Sequence, residues 1–290
     1  MYELTDPKII KSLCSRFGFT FAKSMGQNFI TDASVLMNIA SKATENAEGV
    51  IEIGPGFGSL TAALASRAKL VTAIELDRRL EPVLHETLAG FDNIDLIWED
   101  CMKVNFAELL STRFSGMSVS VAANLPYYIT TPILMNLIEN RHPFKRIIVM
   151  VQKEVAQRLC AAPGGKDYGA VTLTAQYYTK PEILEIVPAS SFIPAPKVDS
   201  AVISLEVRDE PLVKPKNEKV FFDLIKASFS QRRKTLVNCL LNSSKFGSKE
   251  TIERAITALG KDLRLRGETL SIEDFANLAD IFVQNVEIEN

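Results

Sequence analysis

The most constraining stretch of the chain is Val50-Ile51-Glu52-Ile53-Gly54-Pro55-Gly56-Phe57-Gly58. An apolar run of strand length passes directly into three glycines at alternate positions, and the helix-spaced residues Leu60, Ala63 and Leu64 follow. Strand, glycine turn and helix form the repeating unit of parallel α/β sheets. That unit sets a freely turning backbone and the first amides of a helix at the carboxyl end of a strand. A dinucleotide fingerprint needs its third glycine one position later, where Ser59 stands. A cofactor lacking a pyrophosphate is therefore the better match to this loop.

Two further strands end in acids. Leu70 to Ile74 runs into Glu75-Leu76-Asp77, which puts Glu75 roughly 20 residues past the glycines, where a carboxylate accepts from ribose hydroxyls. Ile94 to Trp98 runs into Glu99-Asp100, and Asp100 is placed to accept from an adenine amine. One acid at one strand end fits a solvated turn as well. Acids after two successive strands, beside the glycine loop, favour a nucleoside-bearing cofactor. The apolar run Met117 to Ala123 then leads into Asn124-Leu125-Pro126-Tyr127, ahead of Thr130-Thr131-Pro132 and a helical pattern. Pro126 fixes its own φ and holds Leu125 extended, so the carbonyls before it stay out of a helix and can accept from a ligand. An acceptor pair beside the flat face of Tyr127 suits an exocyclic amine on a planar heterocycle. An ordinary turn with a structural proline and a core tyrosine fits the same four residues alone.

The remaining chain supplies the frame. Thr5-Asp6-Pro7 starts a helix that Gly18 stops. Lys8, Lys11, Arg16 and Lys23 make this arm basic, either as a solvated face or as a phosphate contact. Gly26-Gln27-Asn28-Phe29-Ile30 reads as a polar loop whose Gln27 and Asn28 can bond backbone or ligand. Another buried strand, Lys145 to Val151, precedes a helix carrying Lys153, a candidate RNA contact, and Arg158, and Tyr168-Gly169 opens a further helix through Tyr178. Residues 182–187 and 199–207 alternate and read as a closing antiparallel pair. Between them lies Phe192-Ile193-Pro194-Ala195-Pro196-Lys197, a proline-stiffened loop whose Phe192 is either a core ring or the second face of a base sandwich. Residues 209–216 form a charged, proline-punctuated linker, and everything beyond it reads helical. In that region Gln231-Arg232-Arg233-Lys234 opens a helix, and Ser271 and Asp274 stand at capping-box spacing. The cluster Arg232, Arg233 and Lys234 fits a solvated face or a contact with nucleic-acid backbone.

These elements predict an α/β fold, a Rossmann-like doubly wound sheet of the class I S-adenosylmethionine-dependent methyltransferase type with a small C-terminal all-α domain. The divisions expected are 1–208 (catalytic, with a basic N-terminal arm), 209–216 (linker) and 217–290 (helical). A formal net charge of -2 argues against non-specific coating of nucleic acid. Four cysteines without a Cys-x-x-Cys pair read as reduced thiols of a cytoplasmic protein, and two distant histidines argue against a metal site. Met1-Tyr-Glu-Leu-Thr-Asp has no basic region followed by an apolar core, so it is not expected to act as a signal peptide, and no apolar run approaches membrane-spanning length. Nothing in the sequence points to an oligomer, so a monomer is expected.

Adenine N6 is a poor nucleophile because its lone pair is delocalised into the ring. Accepting its two hydrogens at the Asn124 amide oxygen and the Leu125 carbonyl favours a pyramidal nitrogen with its lone pair available. The lack of a catalytic His or Cys is then no objection, since positioning and electrostatics carry the rate. A base within folded RNA must be turned out to reach such a pocket.

Gly26-Gln-Asn-Phe, Glu52-Ile-Gly-Pro-Gly, Glu75-Leu-Asp, Asn124-Leu-Pro-Tyr, Gln152-Lys-Glu, Tyr168-Gly, Pro196-Lys-Val-Asp-Ser and Gln231-Arg-Arg-Lys-Thr together resemble the small-subunit ribosomal RNA adenine dimethyltransferases. The resemblance covers about residues 10–285 and is nearest the bacterial 16S branch. It implies N6-dimethylation of two adjacent adenosines in the 3′-terminal hairpin loop, S-adenosylmethionine as cofactor, 16S rRNA within the small ribosomal subunit as partner, and a role in late subunit biogenesis. It also implies that Asn28, Ile30, Gly54, Glu75, Asp100 and Asn124 hold the cofactor, that Asn124 to Tyr127 are catalytic, and that Phe192 is the second aromatic. Ile30 replaces a usual Leu, and Ala195 interrupts what is often a proline triplet. A large-subunit adenine methyltransferase of the macrolide-resistance type shares the cofactor site, but the Pro-Lys-Val-Asp-Ser and Gln-Arg-Arg-Lys-Thr motifs disfavour it. A DNA adenine methyltransferase lacks support because no target-recognition domain is evident. A non-catalytic assembly factor would be expected to show damage in the glycine loop or in Asn124 to Tyr127, and none is present.

Overall fold

The computed structural model describes residues 2–20 and 28–289. The chain forms two compact units. The first comprises Met1–Ala156 and Lys180–Val207, the second Gln157–Thr179 and Arg208–Asn290.

The first unit is organised by a seven-stranded sheet. Its strands are β2 (Gly49–Ile53), β3 (Leu70–Glu75), β4 (Ile94–Trp98), β5 (Val119–Asn124), β6 (Phe144–Gln152), β7 (Thr179–Val187) and β9 (Ser200–Val207). They lie in the order β4-β3-β2-β5-β6-β9-β7. β2 to β6 run parallel, and β9 is antiparallel to β6, with Gln152 opposite Ser200. The chain therefore winds outward from β2 in both directions. Between β2 and β5 the order reverses, the place where open α/β sheets bind ligands. A two-residue pair, β1 (Phe29–Ile30) with β8 (Phe192–Ile193), sets Phe29 opposite Ile193 and Ile30 opposite Phe192. Both segments read as loops in sequence. Two residues each are too short for an alternation signal.

The helices follow the expected spacing. α1 (Pro7–Arg16) is capped by Asp6, whose carboxylate accepts the Lys8 amide, and Pro7 occupies its first turn. Gly18, at φ +60°, takes the turn that ends it. α2 (Ala33–Thr44), capped by Asp32, and α3 (Ser59–Ala65) cover the face bearing Val50, Val71, Ala122 and Ile148. α4 (Glu81–Thr87) packs with α1 and with Phe57. α5 (Phe106–Arg113), α6 (Thr130–Glu139) and α7 (Lys153–Leu159) follow β4, β5 and β6. Ile51, Ile53, Val121, Ile147 and Val149 point to the other face and are equally buried. Strands buried on both faces are why they read as continuous apolar runs.

The second unit packs α8 (Ala170–Tyr178) with α9 (Glu218–Ser228), α10 (Leu236–Ser243), α11 (Lys249–Ala258) and α12 (Ile272–Glu289). Leu173 and Tyr177 of α8 share its core with Phe221, Leu224, Ile252 and Phe275. The boundaries read from sequence, 1–208 and 217–290, place this helix with the sheet instead; its aromatic face packs among the later helices. The expected linker 209–216 lies along the same unit. The Leu212 amide donates to the Tyr177 carbonyl at 3.0 Å and the Lys216 amide to Asp280 at 2.7 Å. The Ser271–Asp274 capping box forms in both directions at 3.1 Å. The segment 231–234 is a turn before α10 rather than its first residues, because Thr235 is the N-cap.

Candidate active site

At the sheet's switch point the carboxyl ends of β2, β3, β4 and β5 and the strand β1 enclose one cleft within the first unit. Gly54 follows β2 with φ +73°, and its amide donates to the Ile74 carbonyl at 2.9 Å. The space a Cβ would fill at Gly54 is empty, which lets a ligand approach the backbone. Gly56, at φ +57°, has a different reason: an added Cβ would lie 2.9 Å from Cε1 of Phe29, whose ring stacks on Phe57 at 4.3 Å. Of these two glycines, only Gly54 is open toward the cleft. Gly56 contributes an amide, which reaches Glu75 Oε2 at 3.4 Å.

Glu75 ends β3 and is buried. Its Oε1 accepts the Asp77 amide at 2.8 Å, which fixes the carboxylate at the cleft wall. Burial raises its pKa, and the amides of Asp77 and Gly56 partly offset that. Asp77 itself is committed to Arg79, which holds both its oxygens at 2.8 and 2.6 Å. Asp100 lines the cleft after β4 and accepts the Met102 amide at 2.9 Å. Its neighbour Cys101 also lines the cleft. Burial and the charge of Asp100 push its thiol up to about 11, so it is no nucleophile near neutrality.

Asn124 ends β5. Its Nδ2 donates to the Asn28 carbonyl at 2.9 Å, which fixes the amide's orientation. Oδ1 is then left without a protein donor among the described residues. The Leu125 amide donates to the Met150 carbonyl at 3.1 Å, and the Leu125 carbonyl likewise has no donor among the described residues. The Pro126 carbonyl, by contrast, takes the Thr130 hydroxyl at 2.9 Å and the Ile129 amide at 3.2 Å. The chain thus presents an acceptor pair from Asn124 and Leu125 only.

The aromatic residues depart from expectation. The Tyr127 hydroxyl is hydrogen-bonded to Ser200 Oγ at 2.6 Å, and its ring is half-buried beside the cleft rather than in its lining. Phe192 is 2% exposed and packs with Ile30, Val35, Leu36 and Val202. Its strand pairs with β1, which turns the ring into the core, so it forms no second plate in this structure. The exposed ring at the cleft is Tyr128, at 60%.

Comparison with known proteins decides what this cleft belongs to. The description "Ribosomal RNA adenine dimethylase" matches residues 18–284. The chain belongs to that family. It is 48% identical over 282 residues to "Ribosomal RNA small subunit methyltransferase A" of Geobacillus thermodenitrificans, covering 96% of each chain. The same named protein of Bacillus cytotoxicus is 48% identical over 287 residues, covering 98% of each. Among solved structures, a dimethyladenosine transferase from Plasmodium falciparum is 27% identical with a TM-score of 0.70, covering 86% of this chain and 95% of its own. The 23S rRNA methyltransferase ErmE is also 27% identical, with a TM-score of 0.67, covering 88% of this chain and 100% of its own. The fold is therefore the α/β methyltransferase fold with a C-terminal helical region, as the sequence pattern predicts.

In this ribosomal RNA adenine dimethylase, Asn28, Ile30, Gly54, Gly56, Glu75, Asp100 and Asn124 all line the one cleft. Gln27 and Lys23 lie outside the described residues. Lys153 is half-buried at the start of α7, its amide donating to the Asp199 carbonyl at 3.0 Å, and it does not line the cleft. Arg232, Arg233 and Lys234 are exposed on the helical unit, where an Arg232 guanidinium nitrogen donates to the Lys166 carbonyl. Sequence reasoning assigned no role to Glu52 or Tyr128. The available signal for Glu52 was a lone carboxyl inside an otherwise apolar strand.

Proposed function

We propose that the chain transfers methyl groups from S-adenosylmethionine to N6 of two adjacent adenosines in the 3′-terminal hairpin loop of 16S rRNA, within the small ribosomal subunit during its late biogenesis. Supporting the small-subunit target, both relatives named above carry that designation at 48% identity over nearly their whole length, against 27% for the large-subunit enzyme ErmE.

The cleft suits the cofactor chemically. Four carboxyl groups line it (Glu52, Glu75, Glu99 and Asp100), and no lysine, arginine or histidine does among the described residues. A cationic nucleoside fits such a lining, and an anionic dinucleotide does not. Gly54 offers open backbone, Glu75 the acceptor for ribose hydroxyls, and Asp100 the acceptor for the adenine amine. Asn28 and Ile30 close the cleft from β1. When bound, the cofactor supplies an electrophilic methyl whose leaving group is a neutral thioether.

The protein's own part is to orient the amine. The observation that carries the proposal is the Asn124 amide, locked by the Asn28 carbonyl so that Oδ1 and the Leu125 carbonyl are the free acceptors. In the first transfer each takes one N6 hydrogen, and in the second one of them takes the single hydrogen left on the methylated nitrogen, which draws the nitrogen lone pair out of the ring and directs it outward. The proton leaves after the new N–C bond forms, so no strong base is required. The Ser200 bond holds Tyr127 beside these acceptors, where its face can meet the base.

Single-turnover methyl transfer by Asn124→Ala tests this. We expect a loss of roughly 10²–10³-fold, the size seen when one preorganised polar group is removed, with cofactor affinity changed much less. An unchanged rate would remove the role assigned to Asn124.

A further inference from the structure

The motif Pro196-Lys197-Val198-Asp199-Ser200 leads into β9, and its surroundings fix Ser200 independently of Tyr127. Ser200 is fully buried and stands opposite Gln152, the last residue of β6. The carbonyl of the preceding Asp199 accepts the Lys153 amide at 3.0 Å, and its carboxylate accepts the Ala189 amide at 3.1 Å. The loop after β5 is tied down as well. The Leu125 amide is bonded to Met150 of the same β6, and the Pro126 carbonyl is closed by Thr130 and Ile129. Between these ties the Tyr127 side chain keeps only the swing about its own torsions. Its hydroxyl, at the far tip of the ring, meets Ser200 Oγ at 2.6 Å, and that contact removes the swing. Burial raises the Tyr127 pKa, so the hydroxyl keeps its proton for this bond through the neutral range.

Two successive transfers to one nitrogen make different demands on this ring. The first acts on an amine with two hydrogens, which the Asn124 and Leu125 acceptors both take. The second acts on a methylated amine with one hydrogen left, so one of the two hydrogen bonds that orient the nitrogen is lost. The face of the base is the same in both steps, and stacking does not depend on the N6 hydrogens. We propose that Ser200 is a positioning residue for the second transfer. By pinning the Tyr127 ring it keeps the monomethylated base in line once one N–H bond is gone, and so makes dimethyladenosine rather than monomethyladenosine the end product. This rests on the assignment of Asn124, Leu125 and Tyr127 to the target adenine. In that second step the N6 lone pair forms the new N–C bond. The C–S bond of the sulfonium breaks with its electron pair going to sulfur, and the remaining N6 proton leaves to solvent.

The inference is tested by methyl transfer from labelled S-adenosylmethionine to unmethylated small ribosomal subunits, with the full-length protein in excess and monomethyladenosine and dimethyladenosine resolved over time. Ser200→Ala is expected to slow the second transfer about five- to tenfold more than the first, the rate equivalent of one hydrogen bond, so that monomethyladenosine accumulates. Tyr127→Phe removes the same bond from the other side and keeps the ring; it is expected to give the same partition, and the double variant no more than either single one. Ser200→Thr, which keeps the hydroxyl, is expected to restore dimethyladenosine. Equal slowing of both transfers by Ser200→Ala would overturn the proposal and reduce Ser200 to a support of the fold. Additive effects in the double variant would overturn it too, since the bond would then not be what carries them. Should Ser200→Ala fail to fold, the partition given by Tyr127→Phe decides alone. A wild-type protein that yields no methyladenosine in small-subunit RNA would overturn the function proposed above, and this inference with it.

Discussion

In the helical unit three buried hydroxyls are tied to carbonyls: Tyr168 to Leu270 at 2.9 Å, Ser228 to Leu224 at 2.7 Å and Thr172 to Arg158 at 2.7 Å. In the sheet unit both oxygens of Glu52 and the hydroxyls of Thr61, Thr72, Thr87 and Ser120 are buried without a partner among the described residues, and every such orphan falls there. The helical unit is built as a packed core with its polar groups closed off. The sheet unit leaves polar groups unpaired within its strands and helices: Thr72 in β3, Ser120 near the amino end of β5, Thr61 on α3 and Thr87 on α4, and of the five only Glu52 also lines the cleft. Unsatisfied buried groups cost stability, so the sheet unit carries a cost that the helical unit avoids.

The comparison breaks most readily through the helical core. Phe275 is fully buried among Phe229, Phe221 and Leu224. Phe275→Ala is expected to cost roughly 3–5 kcal/mol, read as a lowered denaturant midpoint, with little change in cofactor affinity. A large fall in cofactor affinity at temperatures where the variant stays folded would show that the two units do not divide their roles this way.

Next in size is the pH dependence of the empty protein. Burial, with the like charge of Glu75 adding to it, raises the carboxyl of Glu52 from its ordinary 4.5 to about 8 in the folded protein. Between these values the folded protein holds a proton that the unfolded chain has lost. Stability from this group is therefore full below about pH 4.5 and falls by a few kcal/mol as pH rises through 8. Denaturant midpoints across pH 5–9 should show that fall, and Glu52→Gln should flatten it; parallel profiles would show that another group holds the proton.

Smaller effects sharpen the site. Glu75→Ala should weaken cofactor binding by about tenfold or more, one charge-assisted hydrogen-bond site being lost, and an unaltered dissociation constant would cancel the ribose assignment. Neutralising Arg232, Arg233 and Lys234 together should lower the salt slope of small-subunit binding by up to about 2–3, without altering cofactor affinity. An unchanged slope would mean a solvated face.

The inner strands β2, β3, β5 and β6 were legible as apolar runs because they are largely buried on both faces, the closing pair β7 and β9 by its alternation, and the acids ending β3 and following β4 by spacing. The two-residue pair of Phe29–Ile30 with Phe192–Ile193 was not, because a ladder that short leaves no periodic trace. That pair decides the burial of Phe192, so the ring expected at the cleft went to the core. The placement of α8 was hidden for a related reason: its apolar face is the same whether it covers a sheet or other helices, and only Tyr177 against Phe221 and Phe222 settles it. The glycine loop reads in sequence as backbone that a ligand can approach at any of its glycines; in the structure Gly54 is open, whereas Gly56 answers to Phe29, a contact across 27 positions that no local pattern contains.

The account is tested most directly by methyl transfer from labelled S-adenosylmethionine to small ribosomal subunits lacking the modification, with large subunits in parallel and the digested RNA analysed for mono- and dimethyladenosine. The prediction is dimethyladenosine at two adjacent positions of the 3′-terminal hairpin of 16S rRNA. Label confined to large-subunit RNA, or tight binding to small subunits with no label at all, would contradict it.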